Sequence, residues 1–262
     1  MMLHKDRTFI SFDGNCTFGC KHCYTFSLSQ ENKKIRTIKE ILDDVKEQQF
    51  DIIYVSQKNE NFSDANAGLH LCEMAYERYN TDILIITRNI LDDSALLRLY
   101  HLSEKMKKNN NKLIVAVSFV SLNKYEISER VDLVPSPNDR IRFLGELKQI
   151  GIPTFSLIRP LFPNEVIPIY DVLELIDRCK EYVNCIVSSE LGVNSDIEKR
   201  LGIDFKQYYG FKSNEYLNGA ISDSLKFLNL ETEMSAIAQK CTQEGIKFFT
   251  HSMQAVNYIC EE

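Results

Sequence analysis

The sequence predicts an α/β fold, a partial (β/α)6 barrel of the TIM type with parallel strands and a C-terminal extension, and two observations predict it. Apolar, β-branched runs bounded by polar turns alternate with segments of helical period, the pattern of parallel strands joined by crossover helices. The 262 residues, 44% hydrophobic and 26% charged, suffice for one substantial core but would cramp two independent domains.

The elements follow in order as six βα units. The first strand is Thr8 to Asp13, and its helix spans about Ile38 to Gln49, with Ile38, Ile41, Leu42 and Val45 on one face. The second strand is Asp51 to Ser56, with a helix near Ala65 to Tyr79. The third, Asp82 to Thr87, carries Ile83-Leu84-Ile85-Ile86, a run that fits burial on both faces. Its helix starts close to Asp92, where Asp92, Asp93 or Ser94 can cap it, and continues through Leu96, Leu97, Leu99 and Leu102 to a Lys-rich end.

The fourth strand is Lys112 to Val120, and a polar loop with Pro135 leads into a helix over about Pro137 to Ile150 that Gly151 terminates. The fifth strand is Thr154 to Arg159, its helix about Ile169 to Tyr182, and the sixth strand Asn184 to Ser188. The alternation then weakens into an aromatic and Asn-rich loop around Phe205 to Asn218. A helix near Glu231 to Gly245, a short strand Ile246 to Thr250 and a terminal helical turn follow. The expected organisation is a barrel core over 1–193 and an extension over 194–262 that covers the barrel mouth.

The 31 basic and 37 acidic residues leave a formal charge of −6, and the densest basic run, Lys105-Met106-Lys107-Lys108, sits at a helix end where cations complement the dipole. Nucleic acid is therefore not an expected partner. No apolar run is long enough to span a bilayer, and Met1 to Thr8 is polar, so no membrane partner and a cytoplasmic location are expected. Eight cysteines in such a context point to metal binding or burial rather than structural disulfides.

Three of them concentrate in Gly14-Asn15-Cys16-Thr17-Phe18-Gly19-Cys20-Lys21-His22-Cys23-Tyr24, a C-x3-C-x2-C spacing in the loop after the first strand. Thiolates at this density select iron-sulfur clusters or zinc. A structural zinc site wants four protein ligands; no second close pair exists here, although His4 or His22 could complete a tetrahedron. A cube held by Cys16, Cys20 and Cys23 needs no fourth ligand and leaves one iron open to a small molecule.

The spacing, its place after the first strand, His22 before the third cysteine and Tyr24 after it resemble the radical S-adenosylmethionine (radical SAM) superfamily, over about residues 1–193. The resemblance implies a 4Fe-4S cluster whose open iron binds the methionine moiety of SAM. It further implies reductive cleavage to a 5′-deoxyadenosyl radical that abstracts hydrogen from a small-molecule or peptide substrate. An external one-electron reductant such as flavodoxin or ferredoxin follows from the same likeness.

Finer segments resemble the spore photoproduct lyase-like branch: Thr87-Arg88-Asn89 after the third strand, Ser118 in the fourth, Glu129 through Pro135-Ser136-Pro137 to Arg140, and Gly151-Ile152-Pro153. They raise a nucleic-acid repair enzyme as one alternative, and a zinc-binding interaction module is another. The resemblance assigns Arg88 to the SAM carboxylate, against an ion pair with Asp92 or Asp93, and Ser118 to the ribose.

Where the superfamily has a Gly-Gly-Glu-like segment for the amino group, this chain departs, with Ser56 and, more weakly, Glu60. The backbone of Tyr24 and the side chain of Leu161 would contact adenine, and Arg159 would neutralise a carboxylate of SAM or substrate. Ser188, Ser189 and Glu190 complete the expected mouth.

Cys72 and Cys179 read as helix residues packing like small hydrophobes. Use of Cys241 and Cys260 as ligands of a second cluster or as a hydrogen-atom donor would require them to meet in space. Tyr208, Tyr209, Tyr216 and Tyr258 are further candidates for a donor or a pocket wall.

Overall fold

A computed structural model describes residues 6–14, 16–25, 35–45, 49–55, 59–207, 210–212 and 225–261. The strands β1 (Arg7–Ile10), β2 (Ile52–Val55), β3 (Asp82–Thr87), β4 (Leu113–Phe119), β5 (Thr154–Leu161) and β6 (Cys185–Glu190) pair in chain order, all parallel. Helices α1 (Ile38–Asp43), α2 (Ala65–Tyr79), α3 (Asp93–Lys107), α4 (Pro137–Gln149) and α5 (Ile169–Cys179) make the crossovers. This is the expected α/β fold, consistent with a partial TIM-type barrel.

Local chemistry sets the helix ends. Thr37 and Glu40 form a reciprocal capping box at α1, Asp92 accepts from the Ala95 N–H to start α3, and Ser136 caps α4 with Pro137 in its first turn. Gly151, at φ +73°, turns the chain out of α4 toward β5 as expected. Gly68 permits a close approach: a Cβ there would lie 2.7 Å from the Asn61 carbonyl. The first helix ends at Asp43, short of the expected Gln49.

Side chains alternate across the sheet. Ile53, Ile83, Val115, Ile158 and Ile186 join the helix-facing core, while Ile52, Leu84, Ile114, Phe155 and Cys185 face the barrel axis.

The sheet carries one strand more than the six expected. Past residue 193 come β7 (Gly192–Val193), α6 (Ser195–Leu201), β8 (Phe211–Lys212), β9 (Lys226–Leu228), α7 (Glu231–Gln243), β10 (Lys247–Phe249) and α8 (Ser252–Glu261). β10 pairs parallel with β6 as a seventh strand, Lys247 opposite Cys185. The terminal turn is a ten-residue helix, α8, whose Ala255, Val256 and Ile259 fill the axis-facing core. The Lys112 ammonium bonds the Ile259 carbonyl at 2.7 Å and so ties the far end of α8 to the strand starts. β7, β9 and β8 form a small antiparallel sheet. Among the described residues no helix is long and apolar enough to cross a membrane.

Candidate active site

A cavity of about 300 Å³ opens at the C-terminal ends of the parallel strands, where barrel sites form. Cys16, Cys20 and Cys23 all line it, and all are free thiols. The loop that carries them is set by three features. Gly19 supplies a left-handed residue at φ +53°, the Cys23 N–H bonds the Cys20 carbonyl at 3.0 Å, and the Lys21 N–H reaches the Ser128 carbonyl at 2.8 Å. Arg200 on α6 adds a fourth, donating to the carbonyls of Cys20 (3.1 Å) and Cys23 (2.7 Å) while paired with Asp196.

Phe18 and Val134 give the thiols an apolar shell. Burial pushes the Cys16 thiol up and that of Cys20 up to about 12, so binding a metal through them would release protons.

Three soft thiols in one loop, within electrostatic reach of one another and of the Arg88 guanidinium, are a donor set that fits an anionic thiolate-bound cluster. Among the described residues no three His, Cys, Asp or Glu side chains converge tightly enough for one metal ion. Ligands on separate corners of a cube stand further apart than ligands of a single ion.

His22 is not placed to complete a tetrahedron. It is buried, with Nδ1 against Ser128 Oγ at 2.6 Å and Nε2 against Arg88 Nη2 at 3.3 Å, and burial holds its pKa well below the usual range. Its role is to tie the cysteine loop to two other segments. His4 lies outside the described residues.

Arg88 stands beside the thiols, but its partner is neither Asp92 nor Asp93. Its Nε donates to Glu129 at 3.0 Å and its Nη2 to the Arg159 carbonyl at 3.1 Å. The other Glu129 oxygen takes Arg140 Nη2 at 2.5 Å, and both of those side chains are fully buried. Arg140 Nη1 also donates to the Ser118 carbonyl, and its guanidinium lies 5.1 Å from the Phe119 ring centroid. Burial opposes the charge on Arg88, but Cys20 and Glu129 outweigh it and raise its pKa. The Arg88 guanidinium favours thiolate at Cys20, while the Glu129 and Glu60 carboxylates act against it at Cys20 and Cys16.

Glu60 is buried on the cavity wall, where it accepts from Thr87 Oγ1 (2.8 Å), the Arg88 N–H (2.9 Å) and the Phe62 N–H (3.1 Å). Burial pushes its carboxyl up, against those three donors.

Tyr24, Arg88, Ser118 and Arg159 are brought together on the same cavity, as are Ser189 and Glu190. Ser188 faces away and bonds the Ile158 carbonyl at 2.8 Å. Leu161 is buried in the helix-facing core and does not line the cavity. A register shift between Ile158 and Leu161 reverses the alternation there and leaves Pro160 on the wall instead.

Ser56 and Tyr208, Tyr209 and Tyr216 lie outside the described residues. Cys241 packs in the helix-facing core and Cys260 in the axis-facing one, so the two do not meet. Nothing in the sequence pattern singled out Arg200, Arg7 or His251; Glu129 and Arg140 did stand in the run 129–140, though without a role.

The fold and site define an α/β barrel with a three-thiol loop at its strand ends. No protein-family model matches the sequence, and no curated protein matches it. The structure is similar to that of polyhistidine-tagged anSMEcpe with bound AdoMet, at a TM-score of 0.50 and 13% identity, over 70% of this chain and 52% of that one. It is likewise similar to native anSMEcpe with bound AdoMet, at a TM-score of 0.51 and 12% identity, over 71% and 51%. This chain spans about half the length of the protein it matches. At such identity the likeness is one of fold.

Proposed function

We propose that this protein is a radical SAM enzyme, with a 4Fe-4S cluster on Cys16, Cys20 and Cys23, acting on a small-molecule or peptide substrate. The observation that carries the reading is the placement of three thiols, from one loop after β1, in a single cavity at the mouth of a parallel barrel. A fold shared with an AdoMet-bound protein supports it.

When bound, the cluster would pass one electron, supplied by a reductant such as flavodoxin or ferredoxin, to SAM, whose cleavage yields a hydrogen-abstracting 5′-deoxyadenosyl group.

The chain's own residues orient and enclose. Arg88, held by Glu129 and His22, makes its bonds through Nε and Nη2, and its Nη1 is the nitrogen to meet the SAM carboxylate. Glu60 fixes the Arg88 backbone. Ser118 meets the ribose, the Tyr24 backbone meets adenine, and Ser56 the methionine amino group. Phe9, Ile86 and Leu157 line the same cavity and exclude water.

The resemblance to the spore photoproduct lyase-like branch rests on sequence segments alone, and the −6 charge disfavours a duplex substrate.

The test is anaerobic reconstitution followed by dithionite and SAM. About four irons per chain and release of 5′-deoxyadenosine are expected, with both lost in Cys20→Ala. An intact cluster that yields no 5′-deoxyadenosine would sink the reading; a colourless protein with about one zinc would replace it with the zinc module.

A further inference from the structure

The cavity carries positive charge at two places. Arg88 lies on the thiol side, with Cys20, Cys23 and the Glu129 carboxylate around it. Arg159 faces a different set, namely Tyr24, Arg7, Tyr54 and Glu190, with no thiol among them.

Arg7 and Arg159 also differ from the other shielded arginines. Arg36, Arg78, Arg88, Arg98, Arg140 and Arg200 each grip a carboxylate. Among the described residues Arg7 and Arg159 have no such ion pair. Arg7 lies over the rings of Phe9 and Tyr54, 5.2 and 5.3 Å from their centroids, with Nη1 3.3 Å from His251 Nε2. Arg159 Nη2 reaches the Thr250 carbonyl at 3.3 Å, and its Nε is buried without a hydrogen-bond partner. Glu190 acts on Arg159 through its charge, and among the described residues one acid stands against the two guanidiniums of Arg7 and Arg159.

His251 sharpens the point. Its Nδ1 accepts the Met253 N–H at 3.2 Å, while Nε2 faces Arg7. A neutral imidazole has one lone pair and one N–H. Burial, with Arg7 and Arg159 adding to it, lowers the pKa of His251 to about 4, so the ring is neutral near pH 7. With the lone pair on Nδ1 accepting from Met253, the ring carries its hydrogen on Nε2, beside the Arg7 guanidinium. The N-terminus of α8, at Ser252, lines the same end of the cavity and favours negative charge. The aromatic walls Phe9, Tyr54 and Phe227 keep the local dielectric low.

We propose that Arg7 and Arg159 form a cradle for an anionic group of the substrate, a carboxylate or a phosphate, at the end of the cavity away from the thiols. Anion binding stands on this geometry; that the anion belongs to a substrate rests on the SAM reading. The cradle would hold the substrate by its charged end and turn its reacting carbon toward the thiol side.

The experiment titrates the anaerobically reconstituted protein with sodium succinate, or with inorganic phosphate, at constant ionic strength, following the thermal unfolding midpoint. One or both should raise the midpoint of the wild type and of Arg98→Gln, a control whose side chain does not line the cavity. Arg7→Gln and Arg159→Gln should each bind at least about tenfold more weakly. A response to succinate alone identifies a carboxylate site, and one to phosphate alone a phosphate site. Should a Gln variant not fold, Arg7→Lys keeps the charge and loses the planar fork, and it too should bind more weakly. No response to either anion, or equal affinity in the wild type and the cradle variants, overturns the proposal. SAM cleavage by the same wild-type sample separates the two readings. Anion binding without 5′-deoxyadenosine would remove the SAM chemistry and leave the cradle, and cleavage without anion binding would remove the cradle alone.

Discussion

On its helix-facing side the sheet is largely aliphatic along its length, with Ile53, Ile83, Val115, Val117, Ile158 and Ile186 packed under the surrounding helices. Toward the barrel axis the lower part is apolar, where Ile52, Leu84, Ile114 and Phe155 meet α8. Above that layer the same axis-facing positions become Ser118, Arg159 and Ser189, on one cavity with the thiols and Arg88. The contrast teaches where this molecule keeps its stability and where it gives some up. Continuous apolar burial contributes stability; polar groups placed in a shielded cavity cost stability and exist to bind something.

The strongest way to break that division is Glu129→Gln. Arg140 is fully buried, and removing the charge that serves both it and Arg88 should cost about 3–5 kcal/mol in urea unfolding. A loss under about 1 kcal/mol would mean that the site side is not electrostatically loaded.

Next comes a matched pair. Ile176→Ala in the helix-facing core should lose about 2–5 kcal/mol, and Ile259→Ala in α8 less, because the helix end can settle into the space left. Equal losses would erase the distinction between a rigid outer layer and an adjustable inner plug.

The smallest effect is on pH dependence. His251 is neutral in the fold, its pKa lowered to about 4 by burial and by Arg7 and Arg159, with the Tyr54 phenol on the same cavity, whereas an unfolded histidine titrates at about 6.5. As pH falls below about 6.5 the unfolded chain takes up a proton that the fold refuses, so stability declines down to about pH 4. Buried His22 acts in the same direction. Urea midpoints across that range should fall less steeply in His251→Gln than in the wild type, and parallel curves would show that the ring is not held neutral.

Much of this was legible in the sequence where the physics is local. Strand and helix alternation, the Asp92 cap, the Gly151 stop and the cysteine loop depend on residues within a few positions of one another. Arg88 could be placed at a strand end, but its partner Glu129 is 41 residues away, and no pattern says which carboxylate it will meet.

Leu161 was expected against adenine, and one irregularity in β5 turns it into the helix-facing core instead. Ile246 to Thr250 reads as a strand, yet nothing in it announces β6 as its neighbour. Arg7 and His251 are separated by 244 residues and become a pair only when the seventh strand docks.

That late docking has a consequence for synthesis. The axis-facing wall of β2 to β6 has no cover of its own until α8, Ser252–Glu261, is available to lie against it. While a ribosome is still short of these codons, the nascent barrel exposes a long apolar trough. A translational pause there would present chaperones and proteases with their preferred kind of target.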